Sequence, residues 1–426
     1  MAPGEPILLL CHAFPPVLDI GGRRWAKFAK ELAKRGHPVH VIHSEPIPGT
    51  AESPWMADAK QPNIHRHPLP RLYPSVLRRT DVHSLGDKLR YHAWTKLLPL
   101  ICKGNWYDES IFWRKPLLNK ATKLMEMHGI RHVVATGAPF RMLAFGAELR
   151  QRFPQVGLVV DFRDAWTWAG SYGLGSIGVR RLRYEQHLEA VVMHAAARVI
   201  SPSPGILGHL RATYPAIPAE HFIHVPHCVD PEDIDNSAPP VKHPGFRMVY
   251  AGSLYGAGEA DVYFDQLLNA FTALRETRPE VFATCGMDLY ITGHGTAKYE
   301  QLVAARGLAG TIRFHAPLPS REAFRRVRAS DLVVLFIPSG NRDIVGTKFQ
   351  EIFYTGTPIL HVGEPGIVSR TVEGKRMGAS IRVEEVAAEL PKIIRRKRVI
   401  EVDKHADHSA YLLPKVTDRL LAEVLI

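Results

Sequence analysis

The stretch PILLLCHAFPPVLDIGGRRWAKFAKELAKRGHPVHVIHSE, residues 6–45, decides the fold. Each end of it is a short apolar run of the kind that forms a buried strand. The segment between them, RRWAKFAKELAKRG, repeats apolar residues at helical spacing and places Trp25, Phe28 and Leu32 on one face. Because a strand, a helix and a second strand in this order form a βαβ unit, the stretch predicts a parallel sheet.

The same alternation of strand and helix patterns continues along the chain. A break rich in proline and aspartate, residues 231–245, is typical of a linker between domains. We therefore predict an α/β protein with two doubly wound domains, residues 1–230 and 246–404, and a C-terminal helix in residues 405–426 that crosses back to the first domain. The further predicted strands are RHVVATG, GLVVDFRD, ARVISPS and HFIHVPH, then FRMVYAGSLYG, DLYITGHG, TIRFHAPLP, DLVVLFIPSG, TPILHVGEP and ASIRVEE.

The composition is that of an ordinary globular protein, with 46% hydrophobic and 23% charged residues among 426. Its apolar runs are too short to span a bilayer, and no basic leader precedes the first strand pattern, so we expect a cytoplasmic protein. The formal charge of +12 favours anionic ligands. Basic tracts with interleaved aromatic residues are lacking from the sequence, which argues against nucleic acid as a partner.

The four cysteines and 22 histidines are scattered along the sequence. Neither residue type shows the spacing of a metal site or of a redox motif. We therefore expect reduced thiols and no bound metal.

Two acids, Asp343 and Glu351, lie in the segment DIVGTKFQE, shortly after the apolar run Leu332–Phe336. That run predicts a central strand, so the segment follows at the carboxyl edge of the second sheet, where α/β proteins bind ligands. Lys348–Tyr354 predicts the opening of a helix, and we expect both acids to point at one ligand. The alternative is a solvated loop acid and a surface helix acid without a common role.

Seven segments, in their order along the chain, carry a family resemblance: FPPVLDIGGRRWAKFAKELAKRGHPVHVI, VVDFRDAW, VISPSPGILGHL, FIHVPHCVD, MVYAGSLYG, LYITGHG and GTKFQEIFYTGTPIL. Over nearly its whole length the chain resembles a family 4 glycosyltransferase. The resemblance implies the GT-B fold, two Rossmann-like domains facing each other across a cleft. It also implies transfer of a sugar from a UDP-, GDP- or dTDP-linked donor to an acceptor hydroxyl, with retention and without a metal, in polysaccharide or glycoconjugate biosynthesis.

By this resemblance the second domain binds the donor. Glu351 would hold the ribose hydroxyls and Asp343 the hydroxyls of the sugar, with aspartate where the family usually has glutamate. One carboxylate can accept hydrogen bonds from both hydroxyls of a diol. Backbone N–H groups at a helix start, together with a lysine, favour the diphosphate. The residues expected on the diphosphate are Gly346, Thr347, Lys348, Gly252 and Ser253.

The first domain would bind the acceptor. Gly21 and Gly22 precede the first helix, and the resemblance places them near the donor phosphates and the acceptor. Arg163 stands where many relatives have histidine, and arginine does not act as a base. We expect Arg163 to hold phosphate or the acceptor while Asp164 orients it. Asp161 or Asp164 as general base, and a purely structural Arg–Asp pair, remain alternatives.

The chain departs from the family at the diphosphate, where many members carry an arginine and a lysine after the first strand of the second domain. The corresponding segment AGSLYGAGEAD has neither. Either Lys348, Arg342 and the backbone at Gly252 and Ser253 take over the neutralisation of the diphosphate, or the protein binds its donor less tightly than those members do. Two other functions stay open: a nucleotide-sugar epimerase or hydrolase of the same fold, and a binding protein without catalysis.

The basic residues of the first domain indicate what class of acceptor to expect. The predicted helix 23–35 carries six cations and a single acid, Glu31, and the stretch 81–113 is both basic and aromatic. Such surfaces fit an anionic membrane. We expect peripheral binding at the inner membrane face and a lipid-linked acceptor; a small-molecule acceptor and a merely solubilising surface are the alternatives.

Overall fold

The computed structural model describes residues 4–78, 84–234, 245–252, 254, 257–292, 296–346, 349–403 and 405–425. The chain divides into two compact units. The first unit comprises Met1–Pro226 and Leu413–Ile426, and the second comprises His227–Leu412. Most of the predicted linker, residues 235–244, lies outside the described residues.

The first unit is built on a seven-stranded parallel sheet in the order β3-β2-β1-β4-β5-β6-β7. Its strands are β1 (Ile7–Leu10), β2 (Val39–Ser44), β3 (Ile64–Leu69), β4 (His132–Gly137), β5 (Gly157–Phe162), β6 (Arg198–Ser201) and β7 (Phe222–His224). Its helices are α1 (Arg23–Lys34), α2 (Leu85–Ile101), α3 (Arg114–His128), α4 (Arg141–Arg152), α5 (Val179–Ala195) and α6 (Pro204–Thr213). The predicted βαβ unit is confirmed, since β1 and β2 pair in parallel on either side of α1 in the sequence.

The second unit is built on a six-stranded parallel sheet in the order β10-β9-β8-β11-β12-β13. Its strands are β8 (Arg247–Gly252), β9 (Gly286–Ile291), β10 (Ile312–His315), β11 (Leu332–Ile337), β12 (Ile359–Gly363) and β13 (Gly378–Ile381). Its helices are α7 (Ala257–Thr277), α8 (Pro279–Phe282), α9 (Ala297–Ala305), α10 (Ser320–Ala329), α11 (Phe349–Phe353), α12 (Ile367–Gly374) and α13 (Val386–Ile394). The prediction that β11 is a central strand is confirmed, because it pairs with β8 and β12.

The last helix, α14 (Leu413–Arg419), belongs to the first unit. Arg35, just past the end of α1, holds it: the guanidinium donates to the carbonyl oxygen of Pro414 at 2.8 Å and lies 2.8 Å from the Asp418 carboxylate. The chain therefore ends on the unit in which it began.

Helix α1 is buried, and the prediction that it offers a basic face to a membrane is wrong. Only 2% of Lys27 and 2% of Lys30 is exposed. Their ammonium groups lie 2.8 and 3.2 Å from the two carboxylate oxygens of Asp58. Arg24 is 3% exposed and lies 3.2 Å from the carboxylate of Asp161. Since buried charges must be paired, these cations serve the interior of the unit rather than its surface.

Candidate functional site

The loop between β1 and α1 is held close to its own strand. The Asp19 carboxylate accepts a hydrogen bond from the Gly21 N–H at 2.7 Å. A Cβ atom added at Gly22 would lie 1.9 Å from the carbonyl oxygen of Ala13. Only glycine allows so close an approach of two backbone segments. The glycine pair predicted as a ligand loop thus also shapes the loop itself.

Arg163 joins three loops at the carboxyl edge of the first sheet. It follows β5, and its Nε donates to the carbonyl oxygen of Gly137 at 3.0 Å. Its Nη1 donates to the carbonyl oxygen of Gly21 at 2.6 Å, and its Nη2 donates to that of Ala138. The structure therefore brings Arg163 and Gly21 together, and the guanidinium fixes the loops after β1, β4 and β5 relative to one another.

Asp164 lies beside this arginine and is hydrogen-bonded to the hydroxyl of Tyr172 and the N–H of Ala138. Burial raises the pKa of the Asp164 carboxyl, while the Arg163 guanidinium and the two hydrogen bonds act in the opposite direction. A carboxyl with a raised pKa that retains some exposure is suited to orient or accept a proton. Asp164 is thus the acid that remains available in this loop.

Asp161 was one of two alternatives for a general base, but its carboxylate is enclosed by the protein. It is fully buried, and its Oδ2 accepts hydrogen bonds from Trp25 Nε1 at 2.6 Å and Thr136 Oγ1 at 3.1 Å. Arg24 donates to the same oxygen at 3.2 Å and also to the carbonyl oxygens of Val225 and Pro226. A carboxylate enclosed in this way cannot reach an acceptor, so Asp161 is a structural ion-pair partner.

Tyr172 is a residue of this site that the sequence did not reveal. Its backbone is left-handed, with φ of 54°, which is uncommon for a bulky side chain. The residue is 50% exposed, and its ring meets that of Phe140 edge-on at 5.6 Å between centroids. Strained, exposed positions of this kind cluster at functional sites. The neighbouring glycines 170, 173 and 175 were the only signal in the sequence.

Asp343 lies in the loop after β11, between two arginines of the second unit. Its Oδ2 is 3.4 Å from Arg342 Nε, and its Oδ1 is 3.6 Å from Arg370 Nη2. The three side chains are 49%, 55% and 66% exposed, respectively. Exposed pairs at such distances are weak. Arg370, on α12, was missed because the sequence does not show that α12 begins beside this loop.

Of the other residues predicted on the donor side, the structure describes Glu351, Gly346 and Gly252. Glu351 lies in α11 and is partly exposed. Gly346 precedes that helix, and Gly252 ends β8, the neighbour of β11. Thr347, Lys348 and Ser253 lie outside the described residues.

Glu259, near the start of α7, links the loops after β8 and β11. Its Oε2 accepts a hydrogen bond from the N–H of Ser339 at 2.7 Å, and its Oε1 accepts one from the Ser339 hydroxyl at 2.7 Å. The sequence did not point to this contact, because the two residues are 80 positions apart. It holds the loop that leads to Asp343 against the helix that follows β8.

Within residues 4–425, leaving aside the gaps given above, no three histidine, cysteine or acidic residues are grouped so as to hold a metal ion. In the same part of the chain no helix is long and apolar enough to cross a membrane. The four cysteines are buried, and burial raises the pKa of Cys11 to about 12 and that of Cys285 to about 11.

No protein-family model and no curated protein matches this sequence. Several solved structures do match. The sucrose-phosphate synthase of Thermosynechococcus elongatus has a TM-score of 0.59 and 14% identity over 98% of this chain and 94% of that one. HepE of Anabaena, in complex with UDP and glucose, has a TM-score of 0.60 and 15% identity over 98% of both chains. A putative UDP-N-acetylglucosamine 2-epimerase of Listeria monocytogenes has a TM-score of 0.58 and 13% identity over 98% of this chain and 95% of that one.

These likenesses establish the fold. Two Rossmann-like units, with parallel sheets of seven and six strands, form the GT-B fold of these neighbours. The prediction of an α/β protein with two Rossmann-like domains of the GT-B class is confirmed.

Proposed function

We propose that the chain is a glycosyltransferase that moves a sugar from a nucleotide-sugar donor to an acceptor hydroxyl with retention, in polysaccharide or glycolipid biosynthesis. The observation that carries the proposal is the position of Asp343 and Glu351 in the segment between β11 and β12. In a parallel sheet this is the edge at which ligands bind. Glycosyltransferases among the structural neighbours support the same function.

The donor is bound by the second unit in this proposal. Glu351 accepts hydrogen bonds from the ribose hydroxyls, and Asp343 accepts them from the hydroxyls of the sugar. HepE in complex with UDP and glucose supports a UDP-linked donor, with GDP- and dTDP-linked sugars as the other candidates. The proposed function needs no metal.

Arg342 and Arg370 are proposed to replace the arginine and lysine that are missing from the segment after β8. Both lie within 3.6 Å of Asp343, and both are more than half exposed. A diphosphate offers them a stronger partner than one carboxylate, because its charge is larger and it accepts bidentate hydrogen bonds. Lys348, Gly346 and the backbone at Gly252 complete this neutralisation in the proposal.

Catalysis in this account is orientation together with stabilisation of charge. The bond between the anomeric carbon and the diphosphate oxygen breaks, and the acceptor oxygen forms the new bond on the same face of the sugar. The proton of the acceptor hydroxyl passes to the departing diphosphate. Arg163 and Asp164 of the first unit position the acceptor, and no nucleophile of the enzyme is required.

The proposal is tested by incubating the protein with labelled UDP-, GDP- and dTDP-sugars, with and without extracted lipid acceptors. Transfer of label to an acceptor is the expected result. A thermal-shift screen over the same donors identifies the base, because a ligand that binds the native state raises the melting temperature. No shift and no transfer with any of these donors would contradict the proposal.

An epimerase or hydrolase is the second candidate, because the Listeria neighbour is described as a putative UDP-N-acetylglucosamine 2-epimerase. The same incubation separates the two functions. Turnover of the donor without an acceptor would favour the second candidate. Donor binding without any turnover would favour a binding protein.

A further inference from the structure

Helix α2 carries an exposed leucine stripe, which we define as Leu85, Leu89, Leu97 and Leu100. These side chains are 80%, 71%, 42% and 82% exposed. Three of these leucines follow Leu85 by 4, 12 and 15 residues, and the helical repeat therefore places all four on one side of the helix. Of the 17 residues in α2, only Leu98 is buried. An exposed apolar surface of this kind is typical of an interaction site.

The other side of α2 is firmly attached to the first unit. Leu98 is fully buried in a small apolar cluster with Tyr73 and Cys102, and Trp94 packs against that cluster. Arg181 of α5 donates hydrogen bonds to the carbonyl oxygen of Pro99 and, at 2.7 and 2.9 Å, to those of Cys102 and Gly104. These bonds satisfy carbonyls at the end of the helix. The orientation of α2 is thus set by the body of the unit, and the leucine stripe faces solvent as a consequence.

The charges of α2 indicate which partner covers the stripe. Lys88, Arg90 and Lys96 are exposed, and Asp87, paired with Arg90 at 3.8 Å, is the single acid of the helix. A second copy docked through the same stripe would bring these cations together, which opposes association. Anionic lipid headgroups complement the cations, and acyl chains accept leucine side chains.

We propose that α2 docks the protein on an anionic lipid bilayer, with the leucine stripe at the boundary between headgroups and acyl chains and the lysines among the headgroups. Of the two predicted membrane contacts, helix 23–35 is buried, and the proposal rests on α2, which lies within the other, the stretch 81–113. Since α2 belongs to the unit assigned to the acceptor, the acceptor class becomes a lipid-linked hydroxyl; that last step rests on the proposed function.

The test is sedimentation of the protein with vesicles of phosphatidylcholine alone and of phosphatidylcholine mixed with phosphatidylglycerol. We expect binding to the mixed vesicles at low salt and release at high salt. The variant L85S/L89S/L100S should bind about tenfold less, because it removes the apolar contact. Replacement of Lys88 and Lys96 by Gln should weaken binding to the mixed vesicles only. The matched control is V262S/V399S, which removes apolar residues that are 52% and 72% exposed in the second unit and should bind as the wild type does.

The outcomes separate docking from the proposed function. Donor binding is measured by calorimetry without vesicles, and the leucine variant should retain it. A wild-type protein that stays in the supernatant with the mixed vesicles, or a leucine variant that sediments as the wild type does, would overturn docking through α2 even where donor binding and transfer persist. Loss of a dimer in light scattering for the leucine variant, without vesicle binding by the wild type, would assign the stripe to a second copy instead.

Discussion

The two candidate ligand loops of this protein are built in opposite ways. In the first unit, the Gly21–Gly22 loop is bound to the protein itself, through the Arg163 guanidinium and the close approach of Gly22 to Ala13. In the second unit, a Cβ atom added at Gly346 would meet no atom of the described residues within 4 Å, and the charges around Asp343 are half exposed. The first loop is tied down at its glycines, whereas the second, although Glu259 holds it at Ser339, presents the charged side chains around Asp343 to solvent.

From this difference we infer that the two loops contribute to ligand binding in different ways. Polar groups already paired inside the protein position a ligand and change little when it binds. Weakly paired, exposed charges gain most when a ligand of opposite charge arrives. We therefore expect substitutions at the first loop to affect stability, and substitutions at the second to affect ligand binding.

We expect low pH to produce the largest difference in stability between the two units. In the first unit, burial lowers the pKa of His12 to about 3 and the pKa values of His40, His43 and His67 to about 4. Among the described residues of the second unit, burial lowers a histidine pKa to about 4 only at His361. An unfolded histidine titrates at about 6.5, so the unfolded chain binds more protons between about pH 6.5 and 4. The contribution of these histidines to the free energy of unfolding therefore falls as the pH falls through this window.

The measurement is peptide-resolved hydrogen exchange at neutral pH and near pH 5, corrected for intrinsic rates. Strands β1 and β2 should lose more protection than β8 and β11. Equal losses in the two sheets would show that these histidines do not distinguish the units.

Arg163→Ala should lower the free energy of unfolding of the first unit by about 3 kcal/mol, because it leaves three partly buried carbonyl groups without the donor they share. The matched control, Arg342→Ala, removes an arginine that is 55% exposed and should stay within about 0.5 kcal/mol of wild type. All seven tryptophans lie in the first unit, so urea unfolding followed by tryptophan fluorescence reports that unit directly. An Arg163 variant as stable as wild type would remove the distinction between the loops.

Alanine substitutions at Gly22 and Gly346 should give smaller changes in stability, and the two changes should differ. Gly22→Ala should cost about 2 kcal/mol, since the new methyl group meets the Ala13 carbonyl and the backbone must shift. Gly346→Ala should change stability by less than about 0.5 kcal/mol, since its Cβ meets no atom of the described part of the chain within 4 Å. Thermal unfolding of both variants checks this, and similar losses at the two positions would contradict it.

The strands could be predicted from the sequence because a buried parallel strand is a continuous apolar run, as in β1 and β11. Strand β3, with the sequence IHRHPL, was missed, since it is polar and contains Pro68. It lies at the edge of the sheet, where proline is tolerated and the apolar signal is weak. Edge position is a property of the assembled sheet, and the local sequence of a strand does not show it.

The partners of charged residues could not be predicted. The cations of α1 follow a pattern that also fits a basic surface, and only the folded chain shows Asp58 against Lys27 and Lys30. Likewise, the contact between Arg163 and Gly21 spans 142 positions. Residue type and strand position predicted the ligand loops, whereas the ion pairs that decide exposure depend on tertiary structure.

The most direct test of the account is calorimetry of donor binding by the wild type and by Glu351→Ala, with Glu401→Ala as the matched control, an acid that is 80% exposed in the same unit. We predict that one of the UDP-, GDP- or dTDP-sugars binds the wild type and the control equally. Loss of the hydrogen bonds to the Glu351 carboxylate should weaken binding by roughly 2–3 kcal/mol, or roughly 30- to 150-fold in Kd. An unchanged Kd for Glu351→Ala, with its fold intact, would contradict the assignment of the second unit as the donor site.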